Sequence, residues 1–392
     1  MRIIVCPHEL AMGGSQINAI ELAAAIRDRG NEVIIYAPAG ELSQKISNLG
    51  LKLVLSPSGI ELSLAWARGL RLLAQEFDPD IVHTYEWAPS MNAACGFRSI
   101  RNACQVITVL SMDVPKFLPT HLHLTVGTRQ LAESMKRNIA VHVIEPPIDT
   151  QANRTVDLCT ARRQIRASNE EFVVSIICRM TNELDKANGV LNAIEAIEYL
   201  AQYMSIRLLV VGDGPELTRI SNQADAVNTK LGRTVIEITG SVLDPGVFYE
   251  GSDVVLGMGS SILRGMAYGK PVVVQGSDGY WELLTPDTLD TFLDVGFFGN
   301  GGAGASALLS ILKDLVSNPA TNSSLGSWNR ELVESKFSLV SAADRLERIY
   351  KDAQFEPRRK GAILLSILRS IAGLTKFRML KMTKSLKDRA AI

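Results

Sequence analysis

Short apolar runs of four to six residues recur along this chain and alternate with longer segments whose apolar positions follow a helical period. A strand that is apolar throughout has to be covered on both faces, and the helix after each run supplies the cover. The pattern therefore predicts parallel sheets sandwiched between helices, an α/β architecture. In the first half the strands are expected over 3–6, 33–36, 51–55, 81–83, 106–109 and 122–126, enough for one doubly wound domain. A second series is expected over 172–178, 207–211, 235–239, 253–256 and 271–274. Its helices are marked by stripes such as Val190, Leu191, Ile194, Ile197 and Leu200. Between the two series lies PPIDTQANRTVD, 146–157, whose prolines and polar side chains read as a linker. A chain of 392 residues exceeds what one core usually supports, so two domains are expected, over 1–150 and 151–340. In open sheets of this kind ligands bind beyond the carboxyl ends of the strands, and two such domains are expected to turn those ends toward a common cleft.

Composition narrows the partners. Hydrophobic residues at 46% and charged residues at 21% fit a soluble globular protein. Lys and Arg number 41 and Asp and Glu 41, so no overall basic field draws in nucleic acid. The balance is uneven, however: the segment 358–392 holds ten basic residues and one acid, a balance of +9 that leaves the rest at −9. Cys6, Cys95, Cys104, Cys159 and Cys178 show no metal spacing, which argues against a structural zinc, and they read as reduced thiols of a cytoplasmic protein. MRIIVCP reads as a first strand and not as a signal peptide, and no run is long enough to span a membrane.

Several stretches have the shape of strand, turn and helix that suits an anion. In HELAMGGSQ, Gly13 and Gly14 precede an amphipathic helix; they either let backbone approach a ligand or simply make a tight turn. CRMTNELDKANG places Arg179 just past a strand and Lys186 at the next helix, two cations suited to a diphosphate. VVGDGPEL gives a turn at Gly214, and VIEITGSV ends in Gly240, where a base could lie on exposed backbone. GMGSSILRGMAYGKPVVV supplies Gly259, then Ser260 or Ser261 as helix cap, Ile262 behind them, and Arg264 in the first turn, facing a phosphate or an acidic ligand group. GSDGYWELL sets Glu282 near a further strand end. In the first half, His8, Glu86 and Asp113 stand in strand-end loops where an acceptor hydroxyl could bind. His83 reads as satisfying local backbone groups, and His121 and His123 as structural.

The order of these motifs resembles the family 4 glycosyltransferases, also called glycosyltransferase group 1, which have the GT-B fold of two Rossmann-like domains. The pieces are MGGSQ, DPDIVHTYE, PPIDT, Arg179 with Lys186 and Gly189, GDGPEL, GMAYGKPVVV, and SWNRELVESKFS with RLERIY. They run over about residues 1–352 and leave the basic tail aside. The resemblance implies that Gly14 approaches the donor's sugar and phosphate, that Arg179 and Lys186 neutralise the leaving diphosphate, and that N–H groups over 260–262 hold the distal phosphate. It also implies a first domain for the acceptor, a second for the donor, and C-terminal helices, 341–392, that cross back to the first domain. The expected activity is transfer of a hexose-type sugar from a UDP- or GDP-linked donor, with retention and without metal or other cofactor. The acceptor is a lipid-linked molecule, a glycan or a small natural product.

Two departures bear on that expectation. The family carries a Glu-x7-Glu pair ahead of its AMA-x-GKP segment, and here Leu256 and Arg264 stand at that spacing. Arg264 cannot accept a hydrogen bond from a ribose hydroxyl, as the second Glu of the pair does. A His expected after the fifth strand is replaced by Leu110 and Ser111. A non-catalytic relative that binds nucleotide, or a nucleotide-sugar epimerase, are the rival readings. In the tail, Ile363, Leu364, Ile367, Leu368 and Ile371 are expected to fill a groove of the first domain, while the cations over 376–389 form a basic amphipathic helix drawn to the inner face of a membrane.

Overall fold

A computed structural model describes the chain except for residues 59–60, 97–102, 112, 138, 358–359 and 391–392, with side chains described as far as residue 380. It divides into two compact units, Met1–Pro147 with Leu339–Ile392, and Ile148–Ser338.

The first unit is built on seven parallel strands: β1 (Arg2–Cys6), β2 (Glu32–Ala37), β3 (Lys52–Leu55), β4 (Ile81–Tyr85), β5 (Cys104–Val109), β6 (His123–Val126) and β7 (Val141–Val143). Their order is β3-β2-β1-β4-β5-β6-β7, so the direction of winding reverses between β1 and β4. The two-residue period of a strand decides which side chain meets which layer. Ile3 and Val5 face the helices Gly14–Asp28 and Leu339–Phe355, while Ile4 and Cys6 face Leu64–Phe77. The short edge strand β7 was not anticipated, because three half-buried residues carry too little apolar signal.

The second unit has six strands: β8 (Phe172–Ile177), β9 (Ile206–Val211), β10 (Ile236–Gly240), β11 (Val254–Gly257), β12 (Val272–Gln275) and β13 (Trp281–Leu283). In the order β10-β9-β8-β11-β12-β13, the winding reverses between β8 and β11. Only β13 runs antiparallel, and it too is a three-residue edge strand absent from the sequence reading. On the helix Lys186–Leu200 the expected stripe packs on the sheet, with Val190, Ile194, Ile197 and Leu200 buried and Leu191 partly so. The linker is tied down within this unit: Ile148 donates its N–H to Phe337 O (2.8 Å), and the Arg330 guanidinium donates to Thr150 O and Asn153 O.

The tail corrects an expectation. Its helix, Lys360–Ala390, buries Ser366, Ile367, Ser370 and Leu374 and exposes Leu364, Leu368 and Ile371, so the expected apolar stripe is largely turned outward. The reason is a close approach that only small side chains permit. Gly373 lies where an added Cβ would stand 2.8 Å from Phe117 Cβ, and Ser366 Oγ accepts the N–H of Thr120 (2.9 Å). Of the tail cations, Arg358 and Arg359 fall outside the described residues, as do the side chains of Lys381, Lys384, Lys387 and Arg389.

Candidate functional site

Each sheet has one place where neighbouring strands send their connections in opposite directions, and the loops part there to leave a crevice. In the first unit this place lies between β1 and β4. Glu86 follows β4 directly, with φ 64°, a left-handed conformation uncommon outside glycine. Its buried carboxylate accepts hydrogen bonds from Ser15 Oγ (3.3 Å), Leu110 N (3.0 Å), Ser111 N (3.3 Å) and Ser111 Oγ. One side chain thereby joins the loops after β1, β4 and β5. The two residues that stand where a His was expected thus serve as donors to Glu86.

Beside it, the helix Gly14–Asp28 is capped by Gly13, whose Cβ, if present, would collide with the Gln16 amide. Gln16 Nε2 donates to Glu9 Oε1 (2.9 Å) and lies 3.3 Å from His8 Nε2, while His8 Nδ1 is buried without a partner. Asp113 is exposed on the loop after β5. His83, by contrast, is wholly buried, and its ring meets Tyr350 Oη (2.7 Å) and Thr108 Oγ1 (2.6 Å). It satisfies side chains and not the backbone groups expected, and burial pushes its pKa down to about 3. His123 stacks on His142 across β6 and β7, with ring nitrogens 3.0 Å apart.

In the second unit the reversal lies between β8 and β11, and the loops there hold the cations. Arg179 is exposed two residues beyond β8. The segment that carries it is clamped from behind. Gly212 and Gly214, at φ 140° and 155°, lie so close that a Cβ on either would overlap Cys178 O or Met180 O. Gly214 therefore acts through backbone packing.

Lys186 opens the helix Lys186–Leu200 after two left-handed residues, Leu184 and Asp185. Gln275 Nε2 donates to both Asp185 O (3.2 Å) and Lys186 O (3.3 Å), and Asp185 Oδ2 accepts the N–H of Asp278 (3.1 Å). Gly189 is required because a Cβ there would overlap the Gln275 amide. The Lys186 charge reaches Cys178, where burial raises the thiol pKa to about 11 and the lysine opposes it. Asp185 and Gln275 escaped the sequence reading; the available signal was a polar residue closing the apolar strand β12.

The glycine turn after β11 also differs from expectation. The cap of the helix Ser260–Ala267 is Gly259, at φ 55°, and neither serine. Ser261 Oγ turns back to Met258 O (3.1 Å), and the Ser261 N–H donates to the same oxygen (3.3 Å). The N–H groups of Ser260 and Ile262 belong to the first helical turn, where intrahelical acceptors are lacking; the Ile262 side chain is core. Arg264 lies in the second turn and not the first, since the helix begins at Ser260. Burial raises the phenols of the stacked pair Tyr249 and Tyr268, and the Arg264 charge opposes that rise. Leu256 is a buried β11 residue. Gly240, at φ 74°, has open space where a Cβ would stand, and Glu282 accepts the Tyr280 hydroxyl.

Among the described residues no three His, Cys, Asp or Glu side chains gather as a metal-binding group. The strand ends carry a carboxylate with serine hydroxyls in one unit, and in the other Arg179, Lys186 and a glycine-capped helix.

Comparison with known proteins bears on these two arrangements. Residues 12–152 match the family model Glycosyltransferase Family 4, and residues 171–314 match Glycosyl transferases group 1. No curated protein sequence matches the chain. Among solved structures, a glycosyltransferase from Rickettsia africae is 19% identical with a TM-score of 0.73, covering 91% of this chain and 99% of that one. Anabaena Alr3699/HepE in complex with UDP is 15% identical with a TM-score of 0.69, covering 90% and 100%. Sucrose-phosphate synthase from Thermosynechococcus elongatus is 17% identical with a TM-score of 0.68, covering 90% and 99%. At such identities the likeness shows a shared fold.

Proposed function

The chain belongs to the family 4, group 1 glycosyltransferases and has their GT-B fold, and from that premise we propose that it moves a hexose from a UDP- or GDP-linked donor to an acceptor hydroxyl. The first unit holds the acceptor, which is lipid-linked, a glycan or a small natural product; the second holds the donor. What supports the reading is that Arg179 follows β8 and Lys186 opens the next helix, where the winding of the second sheet reverses between β8 and β11. Fixed cations there stabilise charge as it grows on the leaving diphosphate, and preorganised charge needs no reorganisation during the reaction. The bond from the sugar's anomeric carbon to the diphosphate breaks, the acceptor oxygen bonds to that carbon, and the acceptor's proton passes to the departing diphosphate. Retention and independence of metal follow from the resemblance. HepE, which has been crystallised with UDP-glucose, supports a nucleotide sugar as donor. The protein works in the cytoplasm.

Incubation of the purified protein with a panel of UDP- and GDP-sugars tests this. Slow release of UDP or GDP from one donor, insensitive to chelator, is the expected result, and Lys186→Ala should lower it about 10²-fold or more. Binding without turnover would instead favour the non-catalytic reading that Leu256 and Arg264 suggest, and appearance of a new epimer would favour an epimerase.

A further inference from the structure

The last helix packs with its apolar side outward. Where it meets the first unit it presents Ser366, Ser370 and Gly373 along with Ile367 and Leu374. Its outer stripe is made of Leu364, Leu365, Leu368, Ile371 and Met379, with Leu368 and Met379 more than half exposed, at 55% and 58%. A surface helix that faces water usually shows the reverse arrangement, with leucines inside and serines outside.

The charges complete the pattern. At 3.6 residues per turn, Lys360 and Arg378 fall on one flank of the stripe and Arg369 and Lys376 on the other. All four are exposed, and the sequence has no acid between Pro357 and Leu380. Apolar side chains bordered on both sides by cations suit a boundary where hydrocarbon gives way to anionic headgroups. A second copy of the chain fits the face poorly, since a two-fold pairing would set cations against cations with no acid to separate them. No described helix is long and apolar enough to cross a membrane, so the arrangement is one for lying on a surface.

We propose that the outer face of the helix Lys360–Ala390 docks the protein on an anionic lipid bilayer, with the leucine stripe entering the headgroup boundary. The helix is held by Phe117 and Thr120, on the loop that carries Ser111 and Asp113, so the docked surface belongs to the unit that holds the acceptor. Docking depends on the helix alone and is measured without any sugar transfer, so it stands or falls apart from the glycosyl-transfer reading.

The test is co-sedimentation of the full chain with vesicles of phosphatidylcholine containing about 30% phosphatidylglycerol, and with pure phosphatidylcholine vesicles. Binding to the anionic vesicles only, weakened at about 0.5 M salt, is expected. Leu364→Gln/Leu368→Gln/Ile371→Gln and Arg369→Gln/Lys376→Gln/Arg378→Gln should each lower it about tenfold or more. Both variants alter exposed positions, and unchanged circular dichroism and melting curves would show that they remain folded. Wild-type protein that stays in the supernatant would overturn the proposal. So would variants that sediment as wild type does, or a vesicle-free dimer that the leucine variant dissociates.

Discussion

At the scale of single residues, His83 and Glu86 sit three positions apart and do opposite work. His83 is sealed in the core with its pKa near 3, against about 6.5 in an unfolded chain. Between those values the unfolded chain binds a proton that the folded one refuses, so stability is complete above about pH 6.5 and declines as pH falls toward 3. The slope from this group is at most about 1.4 kcal/mol per pH unit. His83→Gln should therefore lower stability at neutral pH yet flatten its loss between about pH 6 and 4, as read from urea midpoints across that range. Glu86 stands just past the end of β4 and accepts four hydrogen bonds, one from Ser15 after β1 and three from Leu110 and Ser111 after β5. Glu86→Gln keeps one oxygen for the Ser15 hydroxyl and the N–H groups of Leu110 and Ser111, but sets an amide N–H against the Ser111 hydroxyl, which must turn round and accept, a rearrangement that costs about 1 kcal/mol. Turnover should fall about tenfold or more while the melting temperature drops by a few degrees; equal turnover with lower stability would make Glu86 a structural tie and nothing else.

At the scale of elements, the turns around Arg179 and Lys186 depend on glycines that reach across to neighbouring segments. Gly214→Ala would place a methyl group against Met180 O at a φ of 155° that alanine avoids. The expected outcome is a loss of about 2 kcal/mol or more in stability and a rise in KM for the donor, measured by UDP or GDP release, because the segment moved is the one that bears Arg179. How far such features are legible in sequence differs by element. The central strands could be read because all-apolar runs have one use in this setting, but β7 and β13 could not, because three residues carry no period. Gly259 was passed over for a serine cap because side-chain chemistry is visible in sequence and a left-handed φ is not. Arg179 and Lys186 were legible as a spaced pair, whereas Gln275, which fixes the Lys186 turn, is distant in sequence and joined to it only by folding. The tail misled for a related reason: leucines at helical spacing are visible in sequence, whereas the close approach at Ser366, Ser370 and Gly373 that turns them outward is set by folding.

At the scale of the whole molecule, the chain order and the compact units disagree, and the disagreement makes a prediction. The first unit is completed by residues that come last: Ala342, Leu346, Ile349, Tyr350 and Ala353 share a core with Ile20, Ala23, Ile35 and Val106. Tyr350 also supplies a partner to the buried ring of His83. A chain ended after Ser338 leaves that apolar face of the sheet open to water and His83 with an unmet hydrogen bond, losses of about 2–5 kcal/mol per large side chain. Marginal stability does not absorb several of them. The second unit, Ile148–Ser338, is a single continuous stretch with its own cores, all of which the cut leaves in the chain. Scanning calorimetry of residues 1–338 should thus show one cooperative transition, matching that of an isolated 148–338 fragment, while the full chain shows the heat of both units. UDP or GDP, whichever the donor carries, should raise the melting temperature of the 148–338 fragment, because a ligand that binds only the folded form stabilises it by mass action. Two full transitions from residues 1–338 would mean that the first unit folds without its returning helix, and the core shared with Leu346 and Tyr350 would then be an accessory to that unit and not its foundation.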